Sequence, residues 1–342
     1  NAIAAALHVS AATVSNALSG KGRVSAELAS KIRNKAAELG YVPSQAARAL
    51  RTGRSGVIGL VLPDLSNPFF PQLAQAIEQA AAAAGYGVLI ADSRGQVAQQ
   101  SGAIARLIER GVDGLIVIPR RGSRIGDVGA PVAVIDSPST PGNTVSSDHW
   151  DGGRQMGRHL ASLGHRHVLL VGQSISSNVQ NDRIGGLKEG LGSRVRCDKL
   201  WVDELEGADG SGCSLGVVAH ARQGVTAFAA VSDLLALRVL TELQRGGVEV
   251  PQQASVSGFD DLVWSPVIMP PLTTLRQNLQ RIAEHAVEAL EIVIDGGVAE
   301  AEKDRPAEQG PHGQGVPMEL VVRRSTAAAP LGAAMVPMGS DG

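Results

Sequence analysis

From Val57 onward, apolar runs of four to seven residues alternate with longer amphipathic stretches, and few folds accept that rhythm. The runs at 57–62, 88–91, 115–118 and 132–135 are separated by helix-patterned stretches at 71–84 and 99–110. A continuous apolar run between helices reads as a strand buried on both faces, which is the condition of a parallel sheet covered by helices. A second series follows, with helices at 150–163, 183–191, 214–222 and 234–245 and strands at 168–171, 200–202, 227–231 and 255–259. Two βαβ series of similar build predict two lobes with a cleft between them.

In such sheets ligands bind beyond the carboxyl ends of the strands. The residues there include 64–70, Asp92, Arg94, Arg120, Arg121 and Asp136 from the first series, and Asp182, Arg183, Ser232, Asp233, Asp260 and Asp261 from the second. Carboxylates beside arginines suit polyhydroxylated ligands, since Asp accepts two hydroxyl bonds and Arg donates a fork. Phe69 or Phe70 offers a ring face. The arginines also admit an acidic ligand such as a sugar acid. About half of such loop Asp and Arg residues are expected to serve as structural caps instead.

Residues 1–56 are different in kind. Eight basic residues face two acidic ones there, a net +6, while the other 23 basic and 31 acidic residues leave −8 on the rest. A basic arm on an acidic body predicts that the arm alone seeks a polyanion. Its first helix spans 2–7, with Ile3, Ala6 and Leu7 on one face. His8 and Val9 turn the chain, and Ser10 caps a second helix at 11–18. Val14 and Leu18 face inward on that helix, and Ala11, Ala12, Ser15 and Asn16 face outward. Ser25 caps a third helix at 26–39, whose buried stripe is Leu28, Ile32, Ala36 and Leu39, and Gly40 and Pro43 end it. Two short helices joined by a tight turn make a helix-turn-helix, whose second helix enters the major groove. Candidate DNA contacts are Ser10, Ala11, Ala12, Thr13, Ser15, Asn16 and Arg23. Asn16 is the strong hydrogen-bonding reader, because Asn matches the adenine edge, whereas the alanines offer methyl contacts to thymine. The helix-prone segment 43–51 is too short to be stable alone and is expected to order on docking. Within it, Leu50 between Arg48 and Arg51 has the chemistry of an apolar wedge beside phosphate clamps.

The segments Val9-Ser-Ala-Ala-Thr-Val-Ser-Asn-Ala-Leu18, Arg23-Val-Ser25, Glu38-Leu-Gly-Tyr-Val-Pro43 and Ala47-Arg-Ala-Leu50 resemble the head and hinge of the LacI/GalR family of bacterial transcription regulators. The similarity continues through Ile58-Gly-Leu-Val-Leu-Pro-Asp-Leu-Ser-Asn-Pro-Phe-Phe70, Gly111-Val-Asp-Gly-Leu-Ile116 and Gly164-His-Arg-His167. Gly258-Phe-Asp-Asp261, Pro270-Pro-Leu-Thr-Thr274 and Leu320-Val-Val-Arg-Arg-Ser-Thr326 complete it. The resemblance implies an all-α helix-turn-helix head on an α/β two-lobed body of the type I periplasmic-binding-protein kind, with two parallel sheets. It implies domains at 1–42 (head), 43–55 (hinge), 56–326 (effector binding and dimerisation) and 327–342 (disordered tail), and a helix from near Asn278 crossing back to the first lobe. Asn16, Ala11 and Ala12 fall where the family reads bases, and Leu50 where its hinge kinks the operator. Arg183 and Asp260 match ligand-contacting positions, and Asp136 and Phe70 fall at pocket positions. Two departures stand out, Ser232 where many members carry Asn, and Arg120. The expected effector contacts are therefore Phe69, Phe70, Asp92, Arg120, Asp136, Arg183, Ser232 and Asp260.

Other classes fit poorly. Gly212-Cys-Ser-Leu-Gly216 matches a nucleophile elbow, but the residues before it, 204–211, read as a polar loop instead of the required strand. Ser214 is expected to cap the next helix. His149, His159, His165 and His167 straddle different elements, so they read as core or surface histidines and not as metal ligands. No Gly-x-Gly-x-x-Gly follows a strand, and no cofactor is expected. A periplasmic-type sugar-binding protein explains the body alone, and should begin with a signal peptide or near Val57. The reading that covers every segment is a non-enzymatic, effector-controlled DNA-binding regulator. Its expected partners are a pseudo-palindromic duplex operator, a carbohydrate-like small molecule and a second copy of the chain. No apolar run approaches the ~20 residues that span a bilayer, no secretory signal opens the chain, and Cys197 and Cys213 build no disulfide framework. A cytoplasmic homodimer is expected. Segment 300–317 and the tail 327–342 lack a core-forming pattern and read as poorly ordered, and the tail has no heptads that would build a tetramer.

Overall fold

The computed structural model describes residues 2–19, 24–39, 53–119, 122–123, 125, 128–137, 140, 142, 144–296 and 315–330. The chain divides at Gly56 into two compact units. Arg23, Arg48, Leu50 and Arg120, and with them the hinge segment 43–51, lie outside the described residues.

The first unit holds α1 (Ala2–Ala6), α2 (Ala11–Ser19) and α3 (Ala26–Glu38). His8 takes a left-handed backbone at the turn. The Ser10 hydroxyl accepts the Thr13 amide at 3.0 Å and the Ser25 hydroxyl accepts the Leu28 amide at 3.3 Å, so both caps form where expected. The small core is Ile3, Ala17, Ile32 and Ala36, flanked by Leu7, Val14, Leu18 and Leu28. This corrects the expected stripes in detail. Ala17, not Val14 or Leu18, is the fully buried residue of α2, because a methyl-sized side chain lets the other two helices approach closely. Ala6 and Leu39 are exposed; each lies at the end of its helix, past the reach of so small a core.

The second unit has two lobes. In the first, β1 (Val57–Leu62), β2 (Gly87–Asp92), β3 (Gly114–Val117) and β4 (Val132–Val134) form a parallel sheet in the order β2-β1-β3-β4. Helices α4 (Phe69–Ala83) and α5 (Val97–Glu109) connect these strands, and each buries one apolar stripe on the sheet. The second lobe repeats the plan. Strands β5 (His167–Gly172), β6 (Arg196–Trp201), β7 (Ala227–Ala230) and β8 (Ser255–Ser257) lie parallel in the order β6-β5-β7-β8. Its helices are α6 (His149–Ser162), α7 (Asn178–Leu191), α8 (Val202–Asp209), α9 (Val217–Arg222) and α10 (Asp233–Arg245). A short antiparallel pair, β9 (Thr274–Arg276) and β10 (Glu319–Val321), stands apart, and α11 (Leu279–Ile294) returns to pack on α4, β3 and β4 as expected.

The chain passes between the lobes three times. Val145, Leu279 and Val316 belong to the first lobe's core, whereas Met156, Leu275 and Met318 belong to the second's. The passages are cross-linked. Ser147 pairs with Val316 along the backbone, and its hydroxyl donates to Gln277 Oε1 at 2.6 Å.

Four expectations need correction. Residues 202–209 form α8 and not a loop; Val202 is fully buried and anchors it to the sheet. Helix α9 begins at Val217, three residues after Ser214. The Glu242 carboxylate on α10 accepts the Leu215 and Val217 amides (2.7 and 3.1 Å) and the Ser214 hydroxyl (2.9 Å), so a distant side chain supplies the cap that Ser214 was expected to give. Helix α7 starts at Asn178, capped by Ser177, which places Asp182 and Arg183 inside a helix. Both segments read as poorly ordered have ordered edges. Val316, on the third passage, pairs with Ser147 on the first, and Ala327 and Ala329 donate to Ser255 Oγ and Leu163 O at 3.0 and 2.8 Å.

Helices α6 and α7 meet backbone to backbone through glycines. A Cβ on Gly186 would stand 1.9 Å from Trp150 O, on Gly190 2.2 Å from Arg154 O, and on Gly153 2.3 Å from Arg183 O. This contact fixes the helix that carries Asp182 and Arg183. Gly186→Ala is expected to force the helices apart and destabilise the second lobe by about 1–3 kcal/mol, the usual range for overpacking. Urea unfolding followed by the fluorescence of Trp150 and Trp201 measures the loss, and an unchanged midpoint would contradict the close approach.

Candidate effector cleft and DNA-binding face

In each sheet the strand order reverses between the first and third strand, so a crevice opens at the carboxyl ends of β1 and β3, and another at those of β5 and β7. Side chains from both lobes and from the passages collect there.

The best-defined group is Arg183. Its Nη1 lies 3.1 Å from Asp260 Oδ1 and donates to Val231 O at 2.7 Å, its Nε donates to His149 Nδ1 at 3.4 Å, and its guanidinium carbon lies 4.9 Å from the centre of the Phe259 ring. Both charged side chains are almost wholly buried, at 7% and 6% exposure. Gln277 Nε2 donates to Asp260 Oδ1 at 2.8 Å, continuing the chain of bonds to Ser147. Asp260 takes a positive φ of 106°, a backbone that ordinary residues avoid, which aims its carboxylate inward. Burial pushes the Asp260 carboxyl upward against the pull of Arg183. Burial, then the guanidinium, holds the His149 imidazole well below its ordinary range, so its Nδ1 is free of a proton and accepts from Arg183.

Behind this pair stands Asp233, the first residue of α10, fully buried. It accepts from Thr274 Oγ1 (2.5 Å), Ser265 Oγ (2.6 Å) and the Leu262 amide (2.9 Å). Burial, and then the Asp260 charge, raise its pKa to about 7. Asp261 binds Arg276 at 2.7 Å and Arg323 at 2.6 Å, tying the Asp260 loop to β9 and to the chain just past β10.

Across the cleft, Asp136 and Ser137 follow β4. Ser137 Oγ donates to Asp182 Oδ2, and Asn178 Nδ2 donates to Thr140 Oγ1 at 2.9 Å. Burial raises the Asp136 pKa to about 6, against hydrogen bonds from the Thr140 side chain and the Ser137 backbone, with a smaller upward push from Asp182.

Arg183 and Asp260 thus belong to one buried cluster of the second lobe, and Asp136 follows β4 in the first. Phe69 and Phe70 open α4, their rings edge to face at 5.4 Å, partly buried against the first lobe's core. Two others are engaged locally. Asp92 Oδ1 accepts the Arg94 amide at 2.8 Å, and the Ser232 hydroxyl accepts the Leu235 amide at 3.3 Å as the cap of α10. Gln277, His149, Ser147 and Asn178 were not anticipated. Each is polar and sits on a passage or at a helix start, with no local pattern to distinguish it. His159, His165 and His167 also have protein partners. His165 Nε2 faces Ala327 O at 3.2 Å, and its Nδ1 faces Thr226 Oγ1 at 2.9 Å. His159 bonds Thr326, and His167 bonds Asp198.

On the separate head unit, Ser10, Ala11, Ala12, Ser15 and Asn16 are all exposed along the start of α2. The hydroxyls of Ser10 and Thr13 lie 2.9 Å apart and close the cap. Alternate faces of one short helix thus separate cap and core from an outward row.

Comparison with known proteins agrees with this division. Residues 2–44 match the family described as bacterial regulatory proteins, lacI family, and residues 158–326 match the periplasmic binding protein-like domain. The transcriptional regulator reg1 of Streptomyces lividans is 32% identical, with 96% of each chain covered. The ribose operon repressor of Haemophilus influenzae is 29% identical over 84% of this chain and 89% of its own. A solved structure of the Lac repressor dimer bound to operator and an anti-inducer superposes with a TM-score of 0.73 at 26% identity, covering 95% of this chain and 98% of that one. The lacI head excludes a purely periplasmic-type binding protein. Among the described residues, no helix is long and apolar enough to cross a membrane. The chain belongs to the LacI family of bacterial regulatory proteins and is a DNA-binding, effector-controlled transcriptional repressor, not an enzyme.

Proposed function

We propose that the effector is a neutral, carbohydrate-like molecule held between the lobes by Arg183, Asp260, Asp136 and the Phe69–Phe70 pair, and that the protein works in the cytoplasm. The buried Arg183–Asp260 pair carries this reading. It sets a guanidinium and a carboxylate together beside the loops that follow β7 and β8, the chemistry that vicinal hydroxyls satisfy. Arg183 is already committed to Asp260 and to Val231 O, while Asp136 stands near Asp182, so the described residues hold a surplus of carboxylates. That surplus favours a neutral polyol over a sugar acid. Calorimetry against matched sugars and sugar acids tests this, and tight binding of acids with none of neutral sugars would overturn it.

The outward row on α2 supports base reading by Asn16, with Ala11 and Ala12 meeting thymine methyls. Arg23, Arg48 and Leu50 complete the proposed DNA contacts on sequence grounds. Effector binding controls the operator through a coupling energy, since it must favour one lobe arrangement by about 1–3 kcal/mol to alter DNA affinity 5–150-fold. Asn16→Ala is expected to lower the preference for the operator over unrelated DNA, at about 1–3 kcal/mol for a lost bidentate contact. Leu50→Ala is expected to weaken operator binding while leaving effector affinity unchanged. Gel shifts on the DNA upstream of the protein's own gene measure both. Asp260→Asn keeps the fold's hydrogen-bond geometry but removes the carboxylate charge opposite Arg183, and is expected to abolish effector release while preserving operator binding. A variant that responds normally would remove Asp260 from the pocket.

A further inference from the structure

We propose that the Gln277 side-chain amide couples the effector pair to the connections between the lobes, as a positioning residue that acts through Asp260. The inference rests on the reading of Asp260 as an effector contact, but its test needs no effector.

Gln277 occupies the second passage, where two residues separate β9 from α11. Leu275 before it belongs to the second lobe's core and Leu279 after it to the first's. Gln277 is buried, and both ends of its amide are used. Nε2 donates to Asp260 Oδ1 at 2.8 Å, and Oε1 accepts from Ser147 Oγ at 2.6 Å. Among the described residues, Gln277 and Ser147 have no other side-chain bonds.

The charge of Asp260 gives this bridge a direction. An ionised carboxylate only accepts, so it holds the amino end of the amide toward itself. The carbonyl end is thereby turned to Ser147, whose hydroxyl must donate. Reversing the amide would set two acceptors against each other in a buried place, which is costly. A changed demand at Asp260 Oδ1 therefore alters the hold on Ser147.

The two bonds differ in what they join. Asp260 is already tied to β9 through its backbone, since its amide donates to Leu275 O at 2.8 Å. The first and third passages are also joined by backbone, with the Val316 amide donating to Ser146 O and the Asp148 amide to Val316 O, both at 2.8 Å. The Ser147–Gln277 bond links these two backbone-bonded assemblies through side chains. Such a bond breaks and re-forms without disturbing strand register, so it is the adjustable joint. Glutamate at 277 would face Asp260 with a second carboxylate, and leucine would leave the buried Ser147 hydroxyl unmatched.

Hydrogen exchange of the effector-free full-length protein tests the coupler, read on peptides covering 144–149, 275–280 and 315–320, with β5 as the folding control. Gln277→Leu is expected to lower protection of these peptides about tenfold, the scale of lost buried hydrogen bonds. Gln277→Glu is expected to lower it as well. Adding Asp260→Asn to Gln277→Glu exchanges carboxylate and amide between the two positions, which again sets one donor against one acceptor. That double variant is expected to regain most of the protection over Gln277→Glu alone, an outcome that a purely space-filling Gln277 would not give. Ser147→Ala removes one hydroxyl, spares both groups of the effector pair, and is expected to loosen the same peptides about threefold. Operator gel shifts on the same samples are expected to follow, with affinity moving about fivefold or more in both single Gln277 variants and returning in the double variant. Unchanged protection in Gln277→Leu and Ser147→Ala overturns the coupler. So does a double variant with β5 intact and no recovery, or an operator affinity that no variant moves. A failed effector reading shows separately, as a normal effector response in Asp260→Asn, and leaves the exchange results readable.

Discussion

The buried pairing of Arg183 with Asp260 constrains the rest of the effector domain. Two charges removed from water are costly unless every remaining donor and acceptor is matched, and here the partners come from separate parts of the chain. Val231 O follows β7, the Phe259 ring and Asp260 follow β8, His149 opens α6, and Gln277 lies on the second passage. None of these residues can shift without exposing or orphaning a charge. The pair therefore specifies the relative positions of α6, α7, two strand ends and a passage more than it adds net stability. The same demand explains the left-handed backbone at Asp260, because the surrounding network over-determines a conformation that an isolated Asp would leave.

Two further devices hold this centre in place from outside. The glycine faces of α6 and α7 bring backbone against backbone, so the helix bearing Arg183 has no slack along its length. On the other side, Asp233 and Asp261 bind the Asp260 loop to β9 and to the chain just past β10 through Thr274, Arg276 and Arg323. Acidic side chains thus serve both as cleft lining and as struts for the passages. Only the first kind is offered to a ligand.

That double use explains what the sequence made legible. The strands at 57–62 and 227–231 and the helix at 234–245 were readable because unbroken apolar runs and amphipathic stripes report burial directly. Asp260 was readable from its place past a strand end, whereas Arg183 lies within α7 and was reached through the family resemblance. Gln277 and His149 were not, since their roles arise from meeting partners 17 and 34 residues away in sequence, and no local spacing encodes that. Ser214 misled for the same reason. A Ser before a helix-patterned stretch is a good local cap, but Glu242 outcompetes it by reaching across from α10. In the head, the periodicity gave the helices, while the choice of Ala17 as the centre reflects how closely three short helices must pack to exclude water.

Asp260 Oδ1 accepts from Gln277, and Gln277 is bonded in turn to Ser147 on the first passage, which pairs with Val316 on the third. These contacts join all three connections between the lobes in one chain that starts at Asp260. A rigid sheet could not transmit a change in this way, because strand registers do not change by fractions of a residue. Side-chain bonds on the passages can exchange partners while the sheets stay intact. On this reading the acidic balance of residues beyond Gly56 has a role as well. It discourages that unit from holding DNA unspecifically, so a change felt at the passages alters binding through the basic head alone.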